Sequence, residues 1–298
     1  MPHAKDPGPV SQSSDPGRTV PTRRISFEAS LQDLPKHFAF DGNLIACHLI
    51  AALSSVFPDG EDYFVRSVRH FRDRITDPDL KRQVSGFIGQ EAVHGREHRV
   101  LNDRLAELGY PTKRYEWLTR RGLALRTKVA TAKANLAATA ALEHFTATLA
   151  EVVLTDARTR QQIGHDEVRN LFLWHALEES EHKAVAFDVY KAVGGSERTR
   201  VWTMHVLRFG FLLVMGLQTL LSLLGDRATY HRGELRRSWR EIRRSPYLQR
   251  DVWIRLRDYC RPDFHPNDRD TGALIEQWRA ELFGEDGTLN DKLVGSAA

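Results

Sequence analysis

The sequence predicts an all-α fold built on a bundle of four helices, with additional helices at its C-terminal end. Nearly every segment between Asp41 and Gly195 spaces its apolar residues three or four positions apart, and none alternates apolar and polar residues as a strand does. Of the 298 residues, 41% are hydrophobic and 28% charged, as in ordinary globular chains. Such a chain is long enough to bury a helical core without crosslinks.

The first two predicted helices each place a carboxylate in their apolar stripe. A turn signal in the sequence FPDG at 57–60 precedes the first helix, and Glu61 opens its stripe. The stripe continues at helical spacing through Phe64, Val65, Val68, Phe71 and Ile75. The second helix is expected to begin after Pro78, and Glu91 and His94 lie in the middle of its apolar face.

The third and fourth predicted helices repeat this arrangement. The third runs over about 117–156 and carries Glu143 on its apolar face. The fourth runs over about 166–192 and carries Glu179 and His182, before a pair of glycines that is typical of a helix C-terminus. Each half of the bundle therefore consists of a helix with one Glu and a helix with Glu-x-x-His.

Two segments of opposite character follow the bundle. The segment 201–224 is the most hydrophobic of the chain, and its last sixteen residues contain no charge. We expect it to be buried against the bundle or in a homodimer interface, and its length leaves peripheral membrane contact open. The region 227–282 is helical and begins with an Arg-rich stretch. A basic helix face is usually a solvated one, and no nucleic-acid-binding motif accompanies it, so we expect no nucleic acid partner.

These segments give a domain division. A Pro-, Gly- and Ser-rich leader at 1–24 is expected to be disordered, a single all-α domain covers 25–282 with its metal-binding bundle at about 57–192, and a flexible tail covers 283–298. The leader lacks the apolar core of a secretory signal, and the two cysteines are too few for a disulfide framework. Both observations favour a cytoplasmic protein, with the inner face of the membrane as an additional location.

The polar residues in the apolar stripes predict a metal site. A carboxylate is costly to bury unless a partner, a proton or a metal replaces its hydration. In Glu-x-x-His both side chains lie on one face of a helix, so they can bind the same ion. Di-iron and di-manganese bundles take one Glu from each of two helices and Glu-x-x-His from each of the other two. Six residues of this chain match that arrangement in type, order and spacing: Glu61, Glu91, His94, Glu143, Glu179 and His182.

Each of these residues has an ordinary structural alternative when it is taken singly. A buried Glu can pair with Arg or Lys across the bundle, and a core His can hydrogen-bond a backbone carbonyl. To explain all six residues by these structural alternatives would require several independent coincidences. His98 and His175 extend the same stripes by one turn and are candidates for extra ligands, for a proton relay or, preferably, for partners that orient the ligands. Glu178 competes with Glu179 for the ligand role, and we prefer Glu179.

The motifs FPDGEDYF, GQEAVHGREH, ALEHFTA and WHALEESEHKAVAFDVY resemble a bacterial family described as predicted metal-dependent hydrolases, which is similar in pattern to ferritin-like proteins. The resemblance covers roughly 57–190 and lacks none of the six proposed ligands. It implies a ferritin-like bundle that holds metal. Carboxylate oxygen with some imidazole nitrogen suits two ions of iron, our first choice, or manganese, and zinc stays open.

Our leading functional hypothesis is a di-iron oxidoreductase that uses O₂ to oxidise or hydroxylate a small hydrophobic substrate. The chain has no nicotinamide, flavin or iron–sulfur motif, so a separate electron-donor protein would supply the electrons. The alternative enzyme is a metal-dependent hydrolase that uses a metal-activated water. Two non-enzymatic alternatives are metal storage and a membrane-associated interaction protein. The sequence assigns no catalytic residue; His98, His175 and Glu178 remain candidates for a role beside the ligands.

Overall fold

A computed structural model describes residues 19–295 of the chain. Within that range the protein is mostly helical and has no strand, apart from an isolated antiparallel bridge between Ile25 and Leu293. The predicted all-α fold is confirmed. In chain order the α-helices are α1 (Leu44–Arg69), α2 (Pro78–Glu107), α3 (Thr112–Val129), α4 (Ala132–Thr155), α5 (Ala157–Ile163), α6 (Asp166–His182), α7 (Val185–Ala192), α8 (Glu197–Leu224), α9 (Glu234–Ile242), α10 (Arg250–Asp258) and α11 (Gly272–Phe283).

Four helices close around the region where the polar residues meet. Helix α1 packs most extensively on α2, and α4 packs most extensively on α6. The two pairs join through contacts of α1 with α4 and of α2 with α6, so each helix touches two others in a closed ring. This ring is compatible with the predicted four-helix bundle, and it leaves α3 as the long connection between the second and third members.

Helix α1 corrects the predicted turn at 57–60. It begins at Leu44 and continues through Pro58, so Glu61 lies well inside the helix rather than at its start. Proline has no backbone N–H, which leaves the carbonyl one turn earlier without its helical partner. That carbonyl belongs to Ser54, and the side-chain amide of Asn102 donates to it at 3.1 Å. The neighbouring helix thus satisfies the group that the proline frees, and the helix continues.

The third and fourth predicted helices are each divided in two. Ala130 is extended, and the hydroxyl of Thr131 accepts a hydrogen bond from the backbone N–H of Ala134 at 3.2 Å, which caps the start of α4. A second break follows His182, where α6 ends, and two residues separate it from the start of α7 at Val185. Both breaks lie outside the stretches that carry the predicted ligands, so the ligand spacing is unaffected.

Both chain ends differ from the predicted division. Residues 1–18 and 296–298 lie outside the described residues, but 19–24 pack on α2 and belong to the fold. A β-carbon added at Gly86 would lie 2.1 Å from the carbonyl of Val20, and one at Gly89 would lie 2.1 Å from the hydroxyl of Thr22. Only glycine permits so close an approach. The predicted flexible tail likewise contains Leu289, which is fully buried. Residues 19–24 and Leu289 thus contact the helices, although the predicted division assigns them to the leader and the tail.

Helix α8 is buried on only one side. Residues such as Met204, Met215 and Leu223 face the protein, and the helix contacts α4 and α1. The opposite side is exposed and apolar, so the expectation of a helix buried against the bundle holds for one face only. By length and composition alone, α8 is also long and apolar enough to cross a membrane.

Candidate metal centre

The structure brings all six predicted ligands together in the interior of the helix ring. Glu61 comes from α1, Glu91 and His94 from α2, Glu143 from α4, and the last two, Glu179 and His182, from α6. Each of the six is at most 3% exposed. Six ionisable groups are thus buried in one small volume, where charge is costly without compensation.

The imidazole of His182 lies at the centre of one half of the cluster. Its Nε2 is 3.1 Å from Oε1 of Glu91, 3.3 Å from Oε2 of Glu143 and 3.7 Å from Oε2 of Glu179. In the other half, Nδ1 of His94 is 3.5 Å from Oε1 of Glu91. Glu91 therefore lies between the two histidines and is within reach of both halves.

The donor atoms form groups that are compact enough to hold ions. In each group, one donor atom per residue lies within 4.8 Å of the others. The groups are Glu61 with His94 and His175, Glu91 with His94 and Glu179, and Glu91 with Glu143 and His182. His175, which the sequence suggested as an orienting partner or an extra ligand, thus lies at the cluster itself.

The cluster contains donor atoms that no protein group satisfies. Both carboxylate oxygens of Glu61, Glu91 and Glu143 lack a hydrogen-bond partner among the described residues, and so do Nδ1 of His94 and Nε2 of His182. The imidazoles approach the carboxylates at ion-pair distance but not in hydrogen-bonding geometry. Buried polar atoms are almost always paired. Eight unpaired donor atoms that converge on one place fit metal ions, and this is the strongest observation for a metal centre.

Glu178 orients His94 instead of joining the cluster. Nε2 of His94 lies 3.0 Å from Oε2 of Glu178, and Oε1 of Glu178 accepts a hydrogen bond from Arg23 at 2.9 Å. With its proton on Nε2, His94 directs the lone pair of Nδ1 into the cluster. Carboxylate partners of this kind fix the tautomer of a ligand histidine and raise its basicity. The structure thus favours Glu179 over Glu178 as the candidate ligand.

His182 is oriented through an amide. Its Nδ1 donates to Oε1 of Gln90 at 2.8 Å, which leaves the lone pair of Nε2 for the cluster. The amide nitrogen of Gln90 donates to Glu181 at 2.7 Å, and Glu181 accepts hydrogen bonds from Arg23 and Arg279. Sequence reasoning missed all four of these residues because they lie outside the apolar faces of the predicted helices: Gln90, Glu181, Arg23 and Arg279. The glycines at 86 and 89 were the available signal, because paired glycines inside a helix indicate a close backbone approach.

A chain of hydrogen bonds leaves the cluster through the two remaining histidines. Nε2 of His175 lies 2.9 Å from Oε1 of Glu179, its Nδ1 lies 2.6 Å from Nε2 of His98, and Nδ1 of His98 lies 2.9 Å from the hydroxyl of Ser54. Burial lowers the pKa of both His175 and His98, so both imidazoles are neutral. A neutral imidazole has one donor and one acceptor nitrogen, so only one pattern is consistent. Ser54 donates to Nδ1 of His98, Nε2 of His98 donates to Nδ1 of His175, and Nε2 of His175 donates to Glu179.

The pKa values show an excess of negative charge at the cluster. Burial and the nearby Glu91 carboxylate raise the pKa of Glu61 well above its usual value. Burial also raises the pKa of Glu143 to about 8. For His94, burial favours the neutral ring, but the neighbouring carboxylates outweigh it and raise the pKa to about 10. Bound cations would supply the positive charge that these protons otherwise provide.

The metal-free protein is expected to lose stability as the pH rises from about 7 to about 9. Glu143 and His94 keep their protons in the folded state up to pKa values of about 8 and about 10, against ordinary values of 4.5 and 6.5. In this range the unfolded state binds fewer protons, so the free energy of unfolding falls with pH. Each group contributes at most about 1.4 kcal/mol per pH unit. Thermal unfolding after chelation should show a melting temperature lower by several degrees at the upper pH.

The metal-loaded protein is the control for this experiment. Metal binding requires deprotonated ligands, so the added stability that metal provides should grow over the same pH range. A metal-free protein whose stability rises with pH from about 7 to about 9 would contradict the proposed excess of negative charge.

Fold and site together define the class of this protein: an all-helical protein with a buried cluster of carboxylates and histidines that can hold metal. The chain belongs to the family described as predicted metal-dependent hydrolase, whose model matches residues 21–270. The match includes Arg23 and all six predicted ligands. No curated protein and no solved structure matches the chain.

Proposed function

We propose that the cluster binds two metal ions. Two of the three donor groups share no residue: one contains Glu61, His94 and His175, and the other contains Glu91, Glu143 and His182. Both nitrogens of His175 are hydrogen-bonded, so Glu61 with His94 would supply one ion position and the second group would supply the other. The third group contains His94 from the first group and Glu91 from the second, so the two positions would lie next to each other. The eight unpaired donor atoms support this assignment.

The donor set favours hard or borderline divalent metals. Glutamate oxygens and imidazole nitrogens suit iron, manganese and zinc, whereas thiolate-preferring sites use cysteine. Cys47 and Cys260 belong to none of the donor groups. Iron is our first choice, because two-iron sites in helical bundles use this combination of four glutamates and two histidines. The ferritin-like arrangement is part of the same proposal.

We propose hydrolysis as the reaction. The family description supports it, and so does a buried pair of ion positions with a carboxylate beside them. When bound, two metals would lower the pKa of a water and polarise the bond that it attacks. The protein would orient the ligands through Glu178 and Gln90. Glu179 would accept the proton of the attacking water, and the hydrogen bonds from His175 and His98 would hold that carboxylate in position.

Oxidation with O₂ is the second candidate, and the aromatic lining of the site favours it. Trp174 lies 4.9 Å from the ring of His94, Phe87 lies 5.0 Å from His182, and Phe57 lies 4.8 Å from His175. Rings of this kind exclude water and suit a hydrophobic substrate. This reaction would need a separate electron-donor protein.

Metal content and oxygen dependence together test the proposal. We would express the protein with added iron, measure the metals per chain by mass spectrometry, and assay nitrophenyl ester and phosphate hydrolysis in air and under argon. About two metals per chain, with hydrolysis that is equal in both atmospheres and lost on chelation, is the expected result. Consumption of O₂ by the reduced protein without hydrolysis would favour oxidation, and protein that takes up no stoichiometric metal would contradict both.

A further inference from the structure

Helix α8 presents a continuous apolar surface to the outside of the protein. Ten large apolar side chains on it are each between 39% and 71% exposed: Trp202, Val206, Phe209, Leu212, Leu213, Val214, Leu217, Leu220, Leu221 and Leu224. We call this exposed set the apolar stripe; it is distinct from the core-facing stripes of the bundle helices. It runs for about 33 Å along the helix at a rise of about 1.5 Å per residue. Soluble proteins rarely expose a contiguous apolar patch beyond a few hundred Å², and larger ones are usually interaction sites.

The other side of α8 is fixed to the protein by polar contacts. The hydroxyl of Tyr115 donates to the carbonyl of Gln218 at 2.6 Å, and the hydroxyl of Ser222 lies 2.6 Å from Nδ1 of His48. Thr203 and Thr219 are also buried on this side. A helix that crosses a bilayer needs an apolar surface all round or other spanning helices to cover its polar side. Helix α8 is therefore suited to lie on a surface, with the apolar stripe facing outward.

Positive charge is concentrated beside the apolar stripe. The segment 227–261 contains eleven arginines and four acidic residues, so its net charge exceeds the +4 of the whole chain. We call it the basic segment. It begins three residues after α8 ends, and the hydroxyl of Tyr230 donates to the carbonyl of Leu224 at 2.9 Å. Most of its arginines, including Arg240 and Arg243, are exposed.

One helix of the basic segment, α10, also packs near the middle of α8. Phe211 of α8 stacks on Phe145 of α4, with ring centroids 4.7 Å apart. Val252 and Leu256 of α10 pack in the same small core cluster as Phe145. Helices α8 and α10 therefore both pack on α4 near Phe145, which brings part of the basic segment close to the middle of α8 as well as to its end.

We propose that the apolar stripe and the basic segment form a docking surface for a lipid bilayer with anionic headgroups. Helix α8 would lie in the plane of the interface, with its leucines and aromatic rings in the acyl boundary and the arginines at the phosphates. Amphipathic helices with an apolar face beside cationic residues bind membranes in this way. Each arginine near an anionic surface adds to the attraction. The proposal does not depend on the reaction at the metal centre.

Charge complementarity favours lipid over a second copy of the chain. A symmetric dimer brings the same patch of both copies together. It would bring two basic segments of like charge to the same interface, and their repulsion would oppose association. An anionic bilayer instead complements both features, because it offers an apolar interior beneath a negative surface.

Vesicle flotation of the full chain tests this proposal. The protein should float with vesicles of phosphatidylcholine and phosphatidylglycerol and should bind vesicles of phosphatidylcholine alone more weakly. Leu213→Gln removes a highly exposed apolar side chain from the apolar stripe and should weaken binding about tenfold. Arg243→Gln should weaken binding to the anionic vesicles about fivefold and leave binding to the neutral ones unchanged.

The matched control is Val129→Gln on α3, which replaces an apolar side chain of similar exposure, 76%, outside the apolar stripe. It should float as the original protein does. The proposal is overturned if the protein binds neither vesicle, or if Val129→Gln weakens binding as much as Leu213→Gln. It is also overturned if light scattering shows a dimer that Leu213→Gln dissociates while the vesicles remain unbound.

Discussion

Glu91→Gln is expected to abolish metal binding and to lower activity to background. Glu91 belongs to two of the three donor groups and lies between the two histidines. Glutamine keeps the shape of the side chain but removes the negative charge and places a donor NH₂ where a ligand oxygen is needed. Loss of the ions removes several kcal/mol of transition-state stabilisation, which corresponds to a rate lower by about a thousandfold or more. Metal content per chain and turnover measure the two effects.

Glu97→Gln is the matched control for this variant. Glu97 lies on the same helix, is also 1% exposed, and accepts hydrogen bonds from the backbone of Phe27 and from Arg96, away from the cluster. Its replacement should cost about 1–3 kcal/mol of stability and leave the metal content unchanged. Equal metal loss in Glu91→Gln and Glu97→Gln would indicate a general folding effect and would contradict the ligand role of Glu91.

Arg23→Ala is expected to weaken metal binding by about 10- to 100-fold, although Arg23 touches no predicted ligand. Its guanidinium binds Glu178 at 2.9 Å through one nitrogen and Glu181 at 2.7 Å through another. These two carboxylates lie behind His94 and behind Gln90, which holds His182. Without Arg23, Glu178 would be buried without its cation, and Glu181 would keep only Arg279. The two carboxylates would then no longer hold both imidazoles in position. Titration of the metal-free protein with iron or manganese measures the effect.

Arg24→Ala is the control for Arg23→Ala. Arg24 is the next residue, its side chain is exposed, and its backbone carbonyl rather than its side chain joins the C-terminal segment. Metal affinity should stay within about twofold of the original protein, as expected for a surface change. Arg23→Lys should restore only part of the affinity, because a single ammonium does not reproduce the fork that binds both carboxylates. Full affinity in Arg23→Ala would show that the outer network does not support the ligands.

The class of fold and the set of donors were predictable because both depend on local spacing. Apolar residues three and four apart indicate helices whatever their partners, and Glu-x-x-His places two donors on one helix face before any tertiary contact exists. The turn at 57–60 was predicted wrongly because a tertiary contact, rather than local spacing, allows the helix to continue there. Proline ends most helices, and only Asn102, on a neighbouring helix, satisfies the carbonyl that Pro58 frees.

The choice between Glu178 and Glu179 shows where local spacing stops being informative. Both residues are compatible with His182 on one helix, at spacings of four and three. In the structure, Glu178 faces His94 and Arg23, whereas Glu179 faces His175 and His182. The helix packing, which the sequence pattern does not specify to that precision, assigns the two carboxylates to different tasks.

The sequence by itself determined that this protein is helical and which six side chains can serve as ligands, because both follow from the period of the helix. Tertiary structure alone decided how those ligands are held. Arg23 reaches Glu178 and Glu181 across 155 and 158 positions of sequence, from a segment whose composition predicted disorder. Contacts over such separations arise only when packed helices bring the groups together, so no local pattern contains them.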